Sequence, residues 1–323
     1  MSMLYIGVDI GGTATKYGVF TVEGKLISKW EAPTALGQHG SGILPAVAGQ
    51  LTSWVASHGY AMEQIAGVGV GIPGPVRNDG KVERCVNLDW HDVVPAQELS
   101  ALLQGIPVAA GNDANMAAMG EYWQGSGKGY RSAVFITLGT GVGSGIILDG
   151  KMIHGAKGLG GEVGHIVVDP TEPEQCGCGH YGCLNQIASA PGFVTRAKRL
   201  LAMEDTPSAL RQQKDITCQQ VFDAAKAGDG LAQRAVQQCL KYLGKSISDI
   251  SYTIDPDVFI IGGGVAKAGQ YLIDITYQAY SDMATLADGR AKIVLAELGN
   301  DAGIYGAAKL AMDLVSNSEG ASE

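Results

Sequence analysis

Three groups of residues in this chain have the types and spacing to do chemistry. The first follows an apolar run from Leu4 that ends on Asp9 and turns through Gly11, Gly12 and Thr13 to Lys16 and a second apolar segment, Tyr17 to Thr21. Glycines at such a turn adopt positive φ and leave backbone N–H groups open to an anion. The pattern returns where Ala133 to Leu138 leads through Gly139, Thr140, Gly141, Val142 and Gly143 into Ile146 to Leu148. Both copies then reach an acidic-glycine turn, Glu23-Gly24 and Asp149-Gly150. Two such hairpins facing one another could hold a nucleotide by its phosphates.

The second group is Asn112-Asp113-Ala114-Asn115, at a strand-to-helix junction. An aspartate there ordinarily caps the helix, but it is also placed to accept a proton. The arrangement recurs in Asn300-Asp301-Ala302-Gly303, and local chemistry does not choose between Asp113 and Asp301. The third is Cys176, Cys178 and Cys183, crowded into one short segment, whereas Cys85, Cys218 and Cys239 stand alone as small core residues. Three thiolates and one imidazole make a closed tetrahedral zinc site of the structural kind. The imidazole is either His165 or His180, and the sharp fold-back that His180 would need favours His165.

The elements that position these groups follow from hydrophobic patterning. Strands are expected at Leu4 to Ile10, Tyr17 to Thr21, Leu26 to Trp30, Ile65 to Ile72, Ile106 to Gly111, Ala133 to Leu138, Val258 to Ile261 and Ile293 to Leu298. Helices are expected at Ile43 to His58, from Asn112 through Glu121, in two stretches between Ala190 and Ala227, at Leu231 to Ile254 and at Ile304 to Val315, with Ser316 to Glu323 a disordered tail. Gly262, Gly263 and Gly264, between a strand and a helix, let adenine or ribose lie close to the backbone. Gly69, Gly71 and Gly74 spell a dinucleotide fingerprint, but Pro73, Pro75 and the following Arg77-Asn78-Asp79-Gly80 cannot open the helix it requires.

Composition narrows the function. With 323 residues, 46% of them apolar and 17% charged, the chain suits two soluble domains. The formal charge of −9 and the lack of a basic run argue against nucleic acid as a partner. No apolar stretch is long enough to span a membrane, and a first strand at Leu4 leaves no room for a signal peptide, so the expected location is the cytoplasm.

Taken together, these stretches resemble the ROK family of bacterial sugar kinases and repressors, within the larger actin-like ATPase and hexokinase fold. The likeness runs from Leu4 to about Leu310 and rests on Asp9-Ile-Gly-Gly-Thr-x-x-Lys16, Gly71-Ile-Pro-Gly-Pro75, Asn112-Asp-Ala-Asn115, Glu162-Val-Gly-His165 and the cysteine cluster with Gly182-Cys183-Leu184. Val86-Asn87-Leu88-Asp89-Trp90 and Leu298 to Gly303 look most like its glucokinase branch.

The resemblance implies an α/β fold of two actin-like ATPase (ribonuclease H-like) domains with an interdomain cleft. Residues 1–115 with 303–323 would form the first domain and 116–302 the second, which carries the zinc loop. It implies Asp113 as the catalytic base, with Asp301 left to cap the last helix, and His165 as the fourth zinc ligand beside Cys176, Cys178 and Cys183. A hexose would be held by Gly74, Asn87, Asn112, Asp113, Glu162 and His165. ATP and Mg²⁺ would lie against Asp9, Gly11, Gly12, Thr13, Gly139, Thr140, Gly141, Val142, Gly143, Gly263 and Gly264. Asp9 would orient magnesium through water, and Lys16 would either approach a phosphate or sit exposed on its strand.

The expected reaction is ATP-dependent phosphorylation of a primary hydroxyl, glucose to glucose 6-phosphate, with domain closure expelling water. The alternatives are a kinase for N-acetylmannosamine, mannose or fructose, a polyphosphate-dependent kinase, or a sugar-sensing regulator without its DNA-binding domain. Family members are often dimers or tetramers, which sets a homo-oligomer as the expectation. One position departs from the family: Asn185 stands where a sugar-gripping glutamate is usual, so one acceptor is kept and the charge is lost.

Overall fold

The computed structural model describes residues 3–77, 79–286 and 290–320. Asn78, in the turn used to reject the dinucleotide fingerprint, lies outside them. In chain order the elements are β1 (Leu4–Ile10), β2 (Ala14–Thr21), β3 (Leu26–Pro33), α1 (Ile43–Ser57), β4 (Ile65–Ile72), β5 (Val82–Cys85), β6 (Trp90–Val93), α2 (Pro95–Leu102), β7 (Val108–Asn112) and α3 (Asp113–Gln124). There follow β8 (Ala133–Leu138), β9 (Val142–Leu148), β10 (Lys151–Met152), α4 (Leu184–Ala188), α5 (Ala190–Met203), α6 (Cys218–Lys226), α7 (Gly230–Ile254), β11 (Val258–Gly262), α8 (Gln270–Met283), β12 (Lys292–Leu295) and α9 (Ala302–Gly320). Among the described residues no helix is long and apolar enough to cross a membrane.

Two compact units result. One comprises Met1–Lys128, Met152–Gly160 and Asn300–Glu323, and the other Gly129–Lys151 and Gly161–Gly299. Their sheets share one plan. In the first the order is β3-β2-β1-β4-β7, and in the second β10-β9-β8-β11-β12. Each has an antiparallel hairpin, β1 with β2 or β8 with β9, followed by parallel neighbours, β4 and β7 or β11 and β12. The repeat in the sequence is thus a repeat of topology. Both central strands are apolar and buried almost throughout, as strands enclosed on both faces are.

In the first unit α9 lies on the sheet with almost no space between backbones. A Cβ on Gly69 of β4 would sit 1.7 Å from the Ala307 carbonyl oxygen, and one on Gly306 would sit 1.7 Å from that of Met116 in α3. The small residues of α9 let it touch β4 and α3 together. This contact keeps α3 whole in the first unit, whereas the sequence-based division cuts the chain after residue 115. Gly69→Ala is therefore expected to destabilise the chain by about 3 kcal/mol or to prevent folding, since backbone must move to admit the methyl. Gly49, inside α1 with nothing within 4 Å of an added Cβ, is the control: Gly49→Ala should stabilise by about 0.5–1 kcal/mol. Urea denaturation midpoints of the two variants measure both.

The last helix continues through Gly320, so Ser316 to Gly320 are helical and not the disordered tail expected from their polarity. The final three residues lie outside the described set. The short elements β5, β6 and α2 also escaped the patterning, having too few residues to show a period.

Candidate active site

In the first unit the candidate residues collect at the C-terminal ends of β1, β4 and β7, where open α/β sheets bind their ligands. The β1–β2 hairpin closes on a bond from Gly11 N–H to the Ala14 carbonyl at 3.0 Å, leaving Gly12 and Thr13 exposed. Thr34, which carried no signal in the sequence, braces it: its hydroxyl donates to the Gly11 carbonyl at 2.7 Å and lies 2.9 Å from the Thr15 hydroxyl. Asp9 pairs with Lys16 across the hairpin, and so shares a face with it. Burial pushes the Asp9 carboxyl up from its ordinary value, and the Lys16 charge opposes the shift. Lys16 is half-buried and its Nζ donates to the Asn300 carbonyl at 3.0 Å.

Asp113 is the first residue of α3, and it does not cap the helix. The N-cap is Asn112, whose Oδ1 accepts from Asn115 N–H at 3.1 Å. The Asn112 Nδ2 donates to the Gly74 carbonyl at 2.9 Å and to Asp113 Oδ1 at 3.1 Å, and Oδ1 also accepts from Ala114 N–H at 2.8 Å. The carboxylate is thus oriented by two donors at a sheet edge. Asn87, in the turn between β5 and β6, is brought to the same edge, its backbone oxygen 3.4 Å from a Cβ built on Gly12. The rival aspartate, Asp301, forms an ion pair with Lys29 at 2.5 Å.

The second unit holds the other half of the candidates. Gly139 N–H donates to the Gly141 carbonyl at 2.9 Å, shaping the β8–β9 hairpin, and the Gly139 carbonyl accepts from Ala190 N–H at 2.8 Å. Asn185, on α4, turns its Oδ1 to Val142 N–H at 2.8 Å. Its side chain is therefore part of the hairpin's support. Gly263, at φ +82°, lies against the end of β8, where a Cβ would come within 2.4 Å of the Leu138 carbonyl oxygen. Next to Gly264 opens a cavity of about 280 Å³, with an apolar wall of Ala190, Cys218, Phe222, Val265 and Ala268 and a charged border of Asp223, Lys226 and Lys267. Sequence reasoning found its glycines and missed its apolar wall, because Cys218 and Phe222 come from a helix distant in the chain.

Glu162 precedes and His165 ends a tight turn, Val163–His165, packed on β9: Ser144 donates its hydroxyl to the Gly161 carbonyl and accepts from Val163 N–H at 3.2 Å. Both side chains are exposed. The ligand atoms of His165, Cys176, Cys178 and Cys183 all lie within 4.8 Å of one another. His165 Nδ1 is 3.9 Å from Cys176 Sγ, and the sulfurs of Cys178 and Cys183 are 3.6 Å apart. His180 lies beside the cluster, its Nδ1 3.8 Å from Cys178 Sγ. Burial pushes the Cys183 thiol up to about 12, whereas a backbone hydrogen bond at His180 holds Cys178 down to about 6.

The ROK family model matches residues 5–314. The chain belongs to the ROK family. Among curated relatives, a glucokinase of Halalkalibacterium halodurans is 38% identical over 94% of this chain and 93% of its own length. A glucokinase of Streptomyces coelicolor is 36% identical over 96% of this chain and 98% of its own. Among solved structures, a ROK family glucokinase from Streptomyces griseus in complex with glucose and AMPPNP has a TM-score of 0.76 at 34% identity, covering 96% of this chain and 99% of that one. The paired sheets of this ROK chain are thus those of the actin-like ATPase fold, and the sugar-kinase class is shared with relatives matched along nearly their whole length.

Proposed function

We propose that this ROK chain transfers the γ-phosphoryl group of ATP to the primary hydroxyl of a hexose, converting glucose to glucose 6-phosphate. The observation that carries the reading is that Asn112 caps α3 and orients the Asp113 carboxylate, at the sheet edge that also carries the exposed Gly12-Thr13 hairpin. A carboxylate oriented by the Asn112 amide and the Ala114 N–H at a sheet's C-terminal edge is placed to receive a proton.

In the proposed reaction the hydroxyl oxygen attacks the γ-phosphorus as the bond to the β-phosphate oxygen breaks. Asp113 accepts the hydroxyl proton. Such transfers need positioning and neutralised charge more than covalent help. Gly74, Asn87, Asn112, Glu162 and His165 would hold the hexose. Backbone N–H groups and hydroxyls of Gly11, Gly12, Thr13, Gly139, Thr140, Gly141, Val142 and Gly143 would hold the phosphates, with Gly263, Gly264 and the neighbouring apolar cavity taking the base. Magnesium, when bound, neutralises phosphate charge, and the half-buried Asp9 carboxylate is the group to orient it.

Zinc fits the cysteine cluster. Ligands 2.0–2.3 Å from a tetrahedral ion lie about 3.5–3.8 Å apart, close to the 3.6 and 3.9 Å separations of Cys178 from Cys183 and of His165 from Cys176. A zinc ion there has four protein ligands and no open position, so its role is structural. With Nδ1 toward the metal, His165 keeps Nε2–H as a donor for the sugar, a tautomer fixed by the ligation.

Asn185 gives a separate expectation. Because its Oδ1 holds Val142 N–H, Asn185→Ala should raise KM for ATP about five- to tenfold, the worth of one buried hydrogen bond, with a smaller change in KM for the hexose. Steady-state kinetics with each substrate varied in turn measure the two. For the function itself the test is a panel of glucose, mannose, fructose and N-acetylmannosamine with ATP or polyphosphate. The expected result is a kcat/KM highest for glucose with ATP; turnover of no hexose would refute the proposal.

A further inference from the structure

The loop after β4 is held on two sides by contacts that no motif announces. β4 leaves its sheet at Ile72, paired with Asn112 of β7, and the chain continues through the buried Pro73 and then Gly74 at φ +95°. Cys85, the last residue of β5 and 3% exposed, donates its thiol hydrogen to the Pro73 carbonyl at 2.8 Å. One residue on, the Gly74 carbonyl accepts the Asn112 amide that also donates to Asp113. Two successive carbonyls of one loop are thereby fixed, one by a thiol and the next by the amide that orients Asp113.

A buried cysteine usually serves as a small apolar residue. This one satisfies a carbonyl at a buried position, and such a group left without a donor is costly. Burial pushes the Cys85 thiol up from its ordinary value against backbone hydrogen bonds from Leu88 and Asn87 that lower it, and the Asp113 charge adds a smaller rise, so the sulfur keeps its hydrogen at neutral pH. We infer that Cys85 is a positioning residue for the hexose site: by holding the Pro73 carbonyl, its thiol sets the loop on which Gly74, Asn112 and Asp113 are aligned. This rests on the sugar-kinase reading for what those three residues do.

The test compares Cys85→Val, which fills the space without a donor, with Cys85→Ser, which keeps a donor. Cys85→Val is expected to raise hexose KM about fivefold or more while ATP KM stays within about twofold of the parent, and Cys85→Ser should restore hexose KM to within about twofold. A purely structural role would lower the amount of active protein and leave both KM values unchanged. An unchanged hexose KM in Cys85→Val, an equal rise in both KM values, or a failure of Cys85→Ser to restore the hexose KM would each overturn the inference. Should Cys85→Val not fold, Cys85→Ala takes its place with the same expectations. A parent chain that phosphorylates no hexose would instead sink the kinase reading, so the two failures are distinct.

Discussion

Asp113→Asn should lower kcat by about 10²- to 10⁴-fold, the range that general-base catalysis supplies, while hexose affinity changes only a few-fold. The asymmetry follows from the hydrogen bonds at the head of α3. Asn112 caps the helix with its Oδ1 and donates to Asp113 Oδ1 with its Nδ2, so the helix keeps its cap in the variant. An asparagine at position 113 retains the oxygen that receives those donors and loses the capacity to accept a proton. Pre-steady-state kinetics would show phosphoryl transfer slowed, and calorimetry would show glucose still bound. A variant that turned over within about tenfold of the parent would refute the role of Asp113.

On the zinc role proposed above, removing the ion from the cysteine cluster should weaken hexose binding strongly and leave the sheet of the second unit folded. Both sides of the cluster are anchored: on its C-terminal side, the Gly182 carbonyl accepts from Val168 N–H at 2.8 Å and Cys183 N–H donates to Gln186 Oε1 at 3.1 Å. Before it, Arg199 pairs with Glu172 at 2.6 Å and with Glu174 at 2.9 Å, and the Gln186 Nε2 donates to the Glu174 carbonyl at 2.8 Å. The tip itself is closed by Cys176 N–H to the His180 carbonyl at 2.7 Å, Gly179 N–H to the Cys176 carbonyl at 2.8 Å and Gln175 Nε2 to the Gly179 carbonyl at 2.9 Å. Without the ion, three crowded thiols lose their shared partner and His165 loses its fixed tautomer. Glucose affinity should fall by about a hundredfold or more, and zinc, not magnesium, should restore it. Hydrogen exchange should rise between residues 163 and 183 and stay low in β8 and β11. Full glucose affinity in protein shown by elemental analysis to be metal-free would contradict the role.

The twin hairpins were legible because apolar runs broken by glycine and threonine are strong local signals, and the two sheets that carry them follow one order. The choice between Asp113 and Asp301 was not legible. Both stand in an Asn-Asp-Ala context, and what separates them is side-chain geometry: Asn112 takes over the cap at one site, and Lys29 engages the carboxylate at the other. Asn185 shows the same limit. Its departure from the family glutamate was visible, but its bond to Val142 N–H, which places it with the β8–β9 hairpin, depends on how α4 lies against β9. Cys85 read as a solitary core thiol, and only the path of the chain beyond β4 gives it a carbonyl to hold. Local pattern fixed the strands and the loops that bear chemistry, while partners brought together by tertiary packing were out of its reach.

The central claim is that Asp113 takes the proton from the hexose hydroxyl that attacks ATP. A crystal structure of the complex with glucose and a non-hydrolysable ATP analogue tests it most directly. The account expects an Asp113 carboxylate oxygen within about 3 Å of the glucose C6 hydroxyl, with that hydroxyl in line with the γ-phosphorus. A glucose bound with its C6 hydroxyl turned to another acid, and Asp113 out of hydrogen-bond reach, would contradict it.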